Sequence, residues 1–271
     1  MRVVPVLLGV LALAGCGGSE DNDSPTVVAA FYPLAWAAER IGDDAVQVVN
    51  LTPPGAEPHD VELSPRDVQE IRDADLVLYV GSGFQPAVED AVADRNGPSL
   101  DVSDGDRDPH VWLDPVRLAG VVTQIARTLG RAEPGAELAA ELRRLDEDYR
   151  RGLERCERRT LVTTHAAFGH LTARYGLTQL SLSGSSPEAE PGPRELERLV
   201  DEVRDSGATT VFAEPLVSDR LAQTVAREAG VEVAVLDPIE GLSEERLSAG
   251  EDYLSVMWDN LASLREALGC R

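Results

Sequence analysis

Short runs rich in β-branched residues alternate with longer amphipathic stretches along almost the whole chain. This alternation limits the possible folds more than any other feature. The runs at 26–31, 46–51, 76–80 and 99–102 read as strands, and after a gap so do those at 160–164, 178–182, 209–213 and 232–236. Helical spacing fills the intervals at 33–41, 65–73, 85–94, 167–175, 193–206, 218–229 and 251–268. A crossover long enough to hold a helix returns the chain to pair a parallel strand. Four strand–helix units followed by four more therefore predict an α/β protein with two lobes, each built on a mainly parallel four-stranded sheet. A length of 271 residues accommodates two such lobes.

Helix starts are well marked. Ser64-Pro65 sets a capping hydroxyl before proline at the first helical position, and Asp114-Pro115 does the same with a carboxylate. Two helical stretches, 115–130 and 135–158, separate the lobes. Val116, Leu118, Ala119, Val122, Ile125, Ala126 and Leu129 form one apolar stripe on the first. A helix of about 16 residues spans about 24 Å, enough to run along both lobes. The second stretch is heavily charged and reads as a surface helix. The expected organisation is a lobe over 26–114, a linking helix over 115–130 and a second lobe over 131–271.

Residues 1–15 form a different segment. One Arg precedes an apolar run too short to span a bilayer, as in the core of a secretory signal. Leu13-Ala14-Gly15-Cys16 matches a bacterial lipobox, in which Cys16 takes a lipid and becomes the new N-terminus. Residues 16–25 then act as a polar, flexible tether. The chain is thus expected outside the cytoplasm, anchored to the membrane through Cys16. In that oxidising setting the two remaining cysteines, Cys156 and Cys270, suggest a disulfide. With 48 acidic against 25 basic residues the net charge is −23, which disfavours nucleic-acid binding. Every basic residue is Arg, so chemistry that needs a P-loop or Schiff-base lysine is excluded.

The chain has only four histidines. His59 follows the second strand, His110 follows the fourth, and His165 ends the first strand of the second half. Asp237 ends the last strand. Parallel strands point their carboxyl ends to one edge, where ligands bind, so these four groups can converge in an interlobe cleft. Three imidazoles and a carboxylate suit tetrahedral Zn²⁺ better than magnesium or calcium. His170 is offset from His165 on a helix and reads as structural. Glu214, also at a strand end, can accept a hydrogen bond from a ligating imidazole, cap the next helix or ligate directly.

The segments PPGAEPHDVELSPRDVQEIRDADLVLYVG, DPHVWLDP, THAAFGHLTARYGL, SSPEAEPGPRELERLVDEVR, VFAEPLVS and AVLDPIEG, in this order, resemble the zinc/manganese solute-binding lipoproteins of ABC importers, the ZnuA/TroA-like group. The likeness runs from FYPL at 31–34 to the C-terminal helix. It implies two Rossmann-like lobes joined by a long rigid helix, with one metal between them held by His59, His110, His165 and Asp237. Manganese-type members carry Glu at the third position, so His165 favours zinc over manganese or iron. Two departures stand out. The region 103–108 lacks the long His-rich loop of many zinc members, and Ala166 replaces an Asp common after the third ligand.

The resemblance implies a monomeric binding protein that delivers a divalent ion to an ABC permease, and a rigid link implies small tilts rather than wide closure. A zinc hydrolase would need an open coordination position. The chain has no H-E-x-x-H, and Asp237 would close the sphere. Some members of this group have been called adhesins, but no residue here points to adhesion directly.

Overall fold

The computed structural model describes residues 24–103, 105, 107–184, 187 and 191–271. The expected leader at 1–15, lipidated Cys16 and most of the tether at 16–25 lie outside the described residues. The first half runs β1 (Thr26–Ala29), α1 (Tyr32–Gly42), β2 (Gln47–Asn50), α2 (Pro65–Asp73), β3 (Leu76–Tyr79), α3 (Pro86–Ala93) and β4 (Ser99–Asp101). Two helices follow, α4 (Pro115–Thr128) and α5 (Ala132–Leu153). The second half runs β5 (Thr160–Thr163), α6 (Gly169–Tyr175), β6 (Thr178–Ser181), α7 (Pro193–Ser206), β7 (Thr210–Ala213), α8 (Arg220–Ala229), β8 (Glu232–Val235), α9 (Glu244–Ser248) and α10 (Tyr253–Leu268). All eight expected strands form, and α9 is the one helix not anticipated.

Both sheets are four-stranded, with orders β2-β1-β3-β4 and β6-β5-β7-β8. Every pairing is parallel. The two halves thus share one topology without sharing a sequence repeat. In each sheet the order reverses beside the first strand, the kind of switch point where parallel sheets open a crevice. Local chemistry starts the helices as expected. Ser64 and Asp67 form a reciprocal capping box on α2, and the Asp114 side chain accepts the Val116 and Arg117 amides at the start of α4.

The second sheet shows the two-residue period of a strand buried on both faces. Leu161 and Phe212 belong to the interior that continues into the first half, whereas Val162 and Val211 pack under α7 and α8. That continuous interior also contains the buried residues of α1, α4, α5 and α10.

The expectation of a surface helix over 135–158 is corrected. Leu138, Leu142, Leu145, Tyr149 and Leu153 make one buried stripe on α5, and its charges other than buried Asp146 occupy the remaining faces. The link is therefore made by α4 and α5 together, and α5 is the longer. Arg40 of α1 meets Glu141 on α5 at 2.8 Å. Toward the second half, Asp146 of α5 accepts hydrogen bonds from Arg174 at 2.5 Å and the Tyr175 hydroxyl at 3.1 Å, while Tyr149 donates to the Met257 carbonyl at 2.7 Å. A disulfide joins Cys156 to Cys270 across a separation of 114 residues, closing the end of α5 onto the end of α10.

The α4–α5 contact is close enough to require glycine. A Cβ on Gly135 would collide with the Cβ of Ala126, whereas a Cβ on Gly120, exposed on α4, meets nothing within 4 Å. Overpacking costs about 1–3 kcal/mol, more than the gain of at most about 1 kcal/mol from replacing a helical glycine. Gly135→Ala should therefore lower the chemical-denaturation midpoint and Gly120→Ala raise it. Equal shifts of the same sign would contradict this account of the packing.

Candidate metal centre

His59 lies in the 3-10 turn Pro58–Asp60 that follows β2, where the Glu57 side chain accepts its amide at 3.2 Å. His110 precedes the 3-10 turn Val111–Leu113 after β4. His165 stands just beyond β5, and Glu240 lies in the turn beyond β8. Four strand ends from both sheets thus supply the donors.

The Nε2 atoms of His59, His110 and His165 lie 3.4, 3.2 and 3.4 Å from Glu240 Oε1. One donor atom from each of the four residues lies within 4.8 Å of every other. A tetrahedral ion with bonds of about 2.0–2.1 Å separates its donors by about 3.3–3.4 Å, which the three nitrogen–oxygen spacings match. The buried Nε2 atoms of His110 and His165 lack a hydrogen-bond partner. Buried polar atoms are normally satisfied, so this pair fits a site built for a cation.

The opposite ring nitrogens are held. His110 Nδ1 lies 2.7 Å from Asp108 Oδ1, which also accepts the His110 amide. His165 Nδ1 lies 2.6 Å from Glu214 Oε2, an ion-pair contact rather than an aligned hydrogen bond. Glu214 Oε1 accepts the His165 amide at 3.1 Å and the Thr164 hydroxyl. A carboxylate on Nδ1 fixes the tautomer that presents Nε2 to a metal. Of the three uses open to Glu214, these contacts fit that of a partner to His165. His170 donates from Nε2 to the Asp108 carbonyl at 2.9 Å, so it braces the loop that carries His110.

Phe84 and Trp112 form an apolar wall, with ring centres 4.6 Å from His59 and 5.1 Å from His110. The His59 side chain is 13% exposed while those of His110, His165 and Glu240 are at most 1%, so the centre opens to solvent at His59.

The electrostatics follow from this burial. Burial alone would raise the Glu240 carboxyl, but contacts with His110, His165 and His59 hold it well below the usual range. Burial opposes charge on His165, yet Glu214 and Glu240 outweigh it and lift its pKa to about 10. His110 is raised in the same way by Asp108 and Glu240. Burial, with the charge of Glu240 beside it, pushes the Glu57 carboxyl up to about 8.

Asp237 is not part of this group, contrary to expectation. Its Oδ1 accepts the Ile239 amide at 2.7 Å and its Oδ2 accepts from Arg246 Nη1 at 2.5 Å. The Asp237 side chain folds back on its own turn, and the chain advances to Glu240 before a carboxylate reaches the cleft. Ile239 adopts a positive φ of 54°, a conformation that costs about 1–3 kcal/mol for a residue with a Cβ. Glu240 lies in the AVLDPIEG segment, but the strand-end rule favours Asp237, the first acid after the strand. Asp108 was likewise passed over two positions before His110. Glu57 carried no periodic signal.

The sequence matches the profile described as "ZnuA: Zinc-uptake complex component A periplasmic" over residues 27–267. The chain belongs to the ZnuA family. It is 34% identical over 284 residues to the zinc-binding protein AdcA of Streptococcus pyogenes serotype M1, covering 88% of this chain and 55% of that protein. It thus spans about half the length of that relative. It is 31% identical over 300 residues to the high-affinity zinc uptake system protein ZnuA of Bacillus subtilis, covering 95% of this chain and 94% of that one. The crystal structure of the Zn(II)-bound ZnuA-like domain of Streptococcus pneumoniae AdcA superposes with a TM-score of 0.77 at 34% identity, covering 90% of this chain and 99% of that one. The two-lobed, all-parallel architecture is that of this ZnuA family.

Removing the carboxylates that hold the imidazoles should weaken zinc binding by about 10–100-fold each. Asp108→Asn and Glu214→Gln, compared by competition against a chromophoric chelator, check this. Unchanged affinity in both would show that the Nδ1 partners do not tune the centre.

Proposed function

We propose that this ZnuA-family chain is an extracytoplasmic zinc-binding protein that hands its ion to the permease of an ABC importer. His59, His110, His165 and Glu240 serve as the four ligands. The observation that supports this reading is the placement of three imidazole nitrogens at 3.2–3.4 Å from one carboxylate oxygen. A tetrahedral set of three nitrogens and one oxygen suits zinc, whereas manganese favours more oxygen donors in octahedral geometry. Two relatives named for zinc binding or zinc uptake point the same way.

In this reading Zn²⁺ is cargo, and no reaction is catalysed. Glu240 fills the coordination position that a hydrolytic zinc site keeps open for water. Residues 1–15 direct export, and the lipid on Cys16 and the tether at 16–25 keep a monomeric body near its membrane partner. Residues 26–114 form one lobe and 131–271 carry the other, with 115–130 in the link and α5, at the start of the second segment, completing it. Each ligand set has members from both halves, so the ion leaves when the permease disturbs the contact between them.

Zinc must bind neutral imidazoles. In the metal-free protein, neighbouring carboxylates keep protons on His110 and His165 to higher pH than usual. Protons therefore compete with the metal, and they compete harder as pH falls. Each displaced proton weakens binding roughly tenfold per pH unit below the pKa of its imidazole. Native mass spectrometry should show one zinc per chain, lost with chelator and absent in His165→Ala. Zinc affinity should drop at least about a hundredfold from pH 7.5 to 5.5. A pH-independent affinity, or retention of zinc by His165→Ala, would contradict the reading.

A further inference from the structure

The turn that carries Glu240 is anchored from several directions. Asn260 accepts the Asp237 amide at 2.9 Å and donates to the Asp237 carbonyl at 2.7 Å. Trp112 donates from Nε1 to the Pro238 carbonyl at 2.7 Å, tying the turn to the loop that bears His110. These bonds fix the backbone at the start of the turn. Beyond them the chain passes through Ile239 at positive φ, a conformation held by the Asp237 carboxylate on the Ile239 amide. That carboxylate is itself held by Arg246 of α9. Arg246 in turn meets Glu251 from Nε and Nη2, each at 2.7 Å. Asp237 is almost wholly buried, and Glu240 is a second buried carboxylate three positions on. Two buried carboxylates so close in sequence repel unless a cation balances one of them.

We propose that Arg246, acting through Asp237, is a positioning residue that holds Glu240 at the metal centre and so sets the tightness of zinc binding. Arg246 never touches the ion. It keeps Asp237 folded onto the Ile239 amide and away from the ligand cluster, which leaves one carboxylate, not two, for the cation. The inference rests on Glu240 being the fourth ligand. The geometry separates it from general packing because the Arg246 side chain is 25% exposed and lies outside the apolar interior.

The test compares the parent with Arg246→Met, Arg246→Lys, Glu240→Gln and the double variant Arg246→Met/Glu240→Gln. Zinc affinity is measured by chelator competition, coordination by the visible spectrum of the Co²⁺-loaded protein, and folding by thermal melting of the metal-free protein. Arg246→Met should bind zinc about 10–100-fold more weakly, retain a cooperative melt, and shift the Co²⁺ spectrum toward that of Glu240→Gln. Arg246→Lys should recover part of the loss. The double variant should be no weaker than Glu240→Gln within about threefold, because both changes remove one interaction. Parent-like affinity in Arg246→Met, or losses that add in full in the double variant, would overturn the proposal. Parent-like affinity in Glu240→Gln would instead overturn the ligand assignment beneath it. Should Arg246→Met fail to melt cooperatively, Arg246→Gln carries the same comparison.

Discussion

A single buried carboxylate facing three imidazoles governs this structure. Glu240 lies at the meeting point of His59, His110 and His165, and charge at such depth is tolerable only when it is matched. The protein matches it with nitrogens, and each nitrogen comes from a separate strand end. Both sheets must therefore keep their register for the centre to exist. That need explains why the interior runs unbroken from the first half through α4 and α5 into one face of the second sheet.

Around this centre lies a ring of supporting acids with different tasks. Asp108 and Glu214 contact imidazoles from behind, while Asp237 bonds to its own turn and to Arg246, outside the cluster. The strongly acidic composition thus has an internal use as well as an external one. In the ring, the partner of each carboxylate decides whether it orients a ligand or shapes a turn. Glu57 is pushed up to about 8 by its burial and by the charge of Glu240 beside it, which together outweigh the lowering by His165 and the His59 amide.

Much of this was legible in the residues. The β-branched runs marked the strands best at the buried centre of each sheet, where β1, β3, β5 and β7 are rich in Val, Leu and Thr, while the exposed edge strand β4, Ser99–Asp101, was read mainly from its place in the alternation. The three histidines that the structure brings together were legible because histidine is scarce here and each lies in a connection that follows a strand. The resemblance supplied the pairing of lobes. Glu240 was not legible, because reaching it requires knowing that Asp237 bonds to its own turn and that Ile239 takes a positive φ, neither of which residue spacing encodes. The burial of α5 was obscured for a related reason: its charges outnumber the five residues of its apolar stripe, so average polarity hid a narrow, well-aligned face. Asp108 was hidden by proximity, lying in the same DPH tripeptide as the residue it serves.

The unbroken interior has a consequence for recognition. Side chains from both halves pack into one interior through α4 and α5, and the disulfide ties the end of α5 to the end of α10, so tilting one half against the other would have to disturb shared packing. Any change at the cluster would reach the surface first at the rim beside His59, whose side chain is more exposed than those of His110, His165 and Glu240.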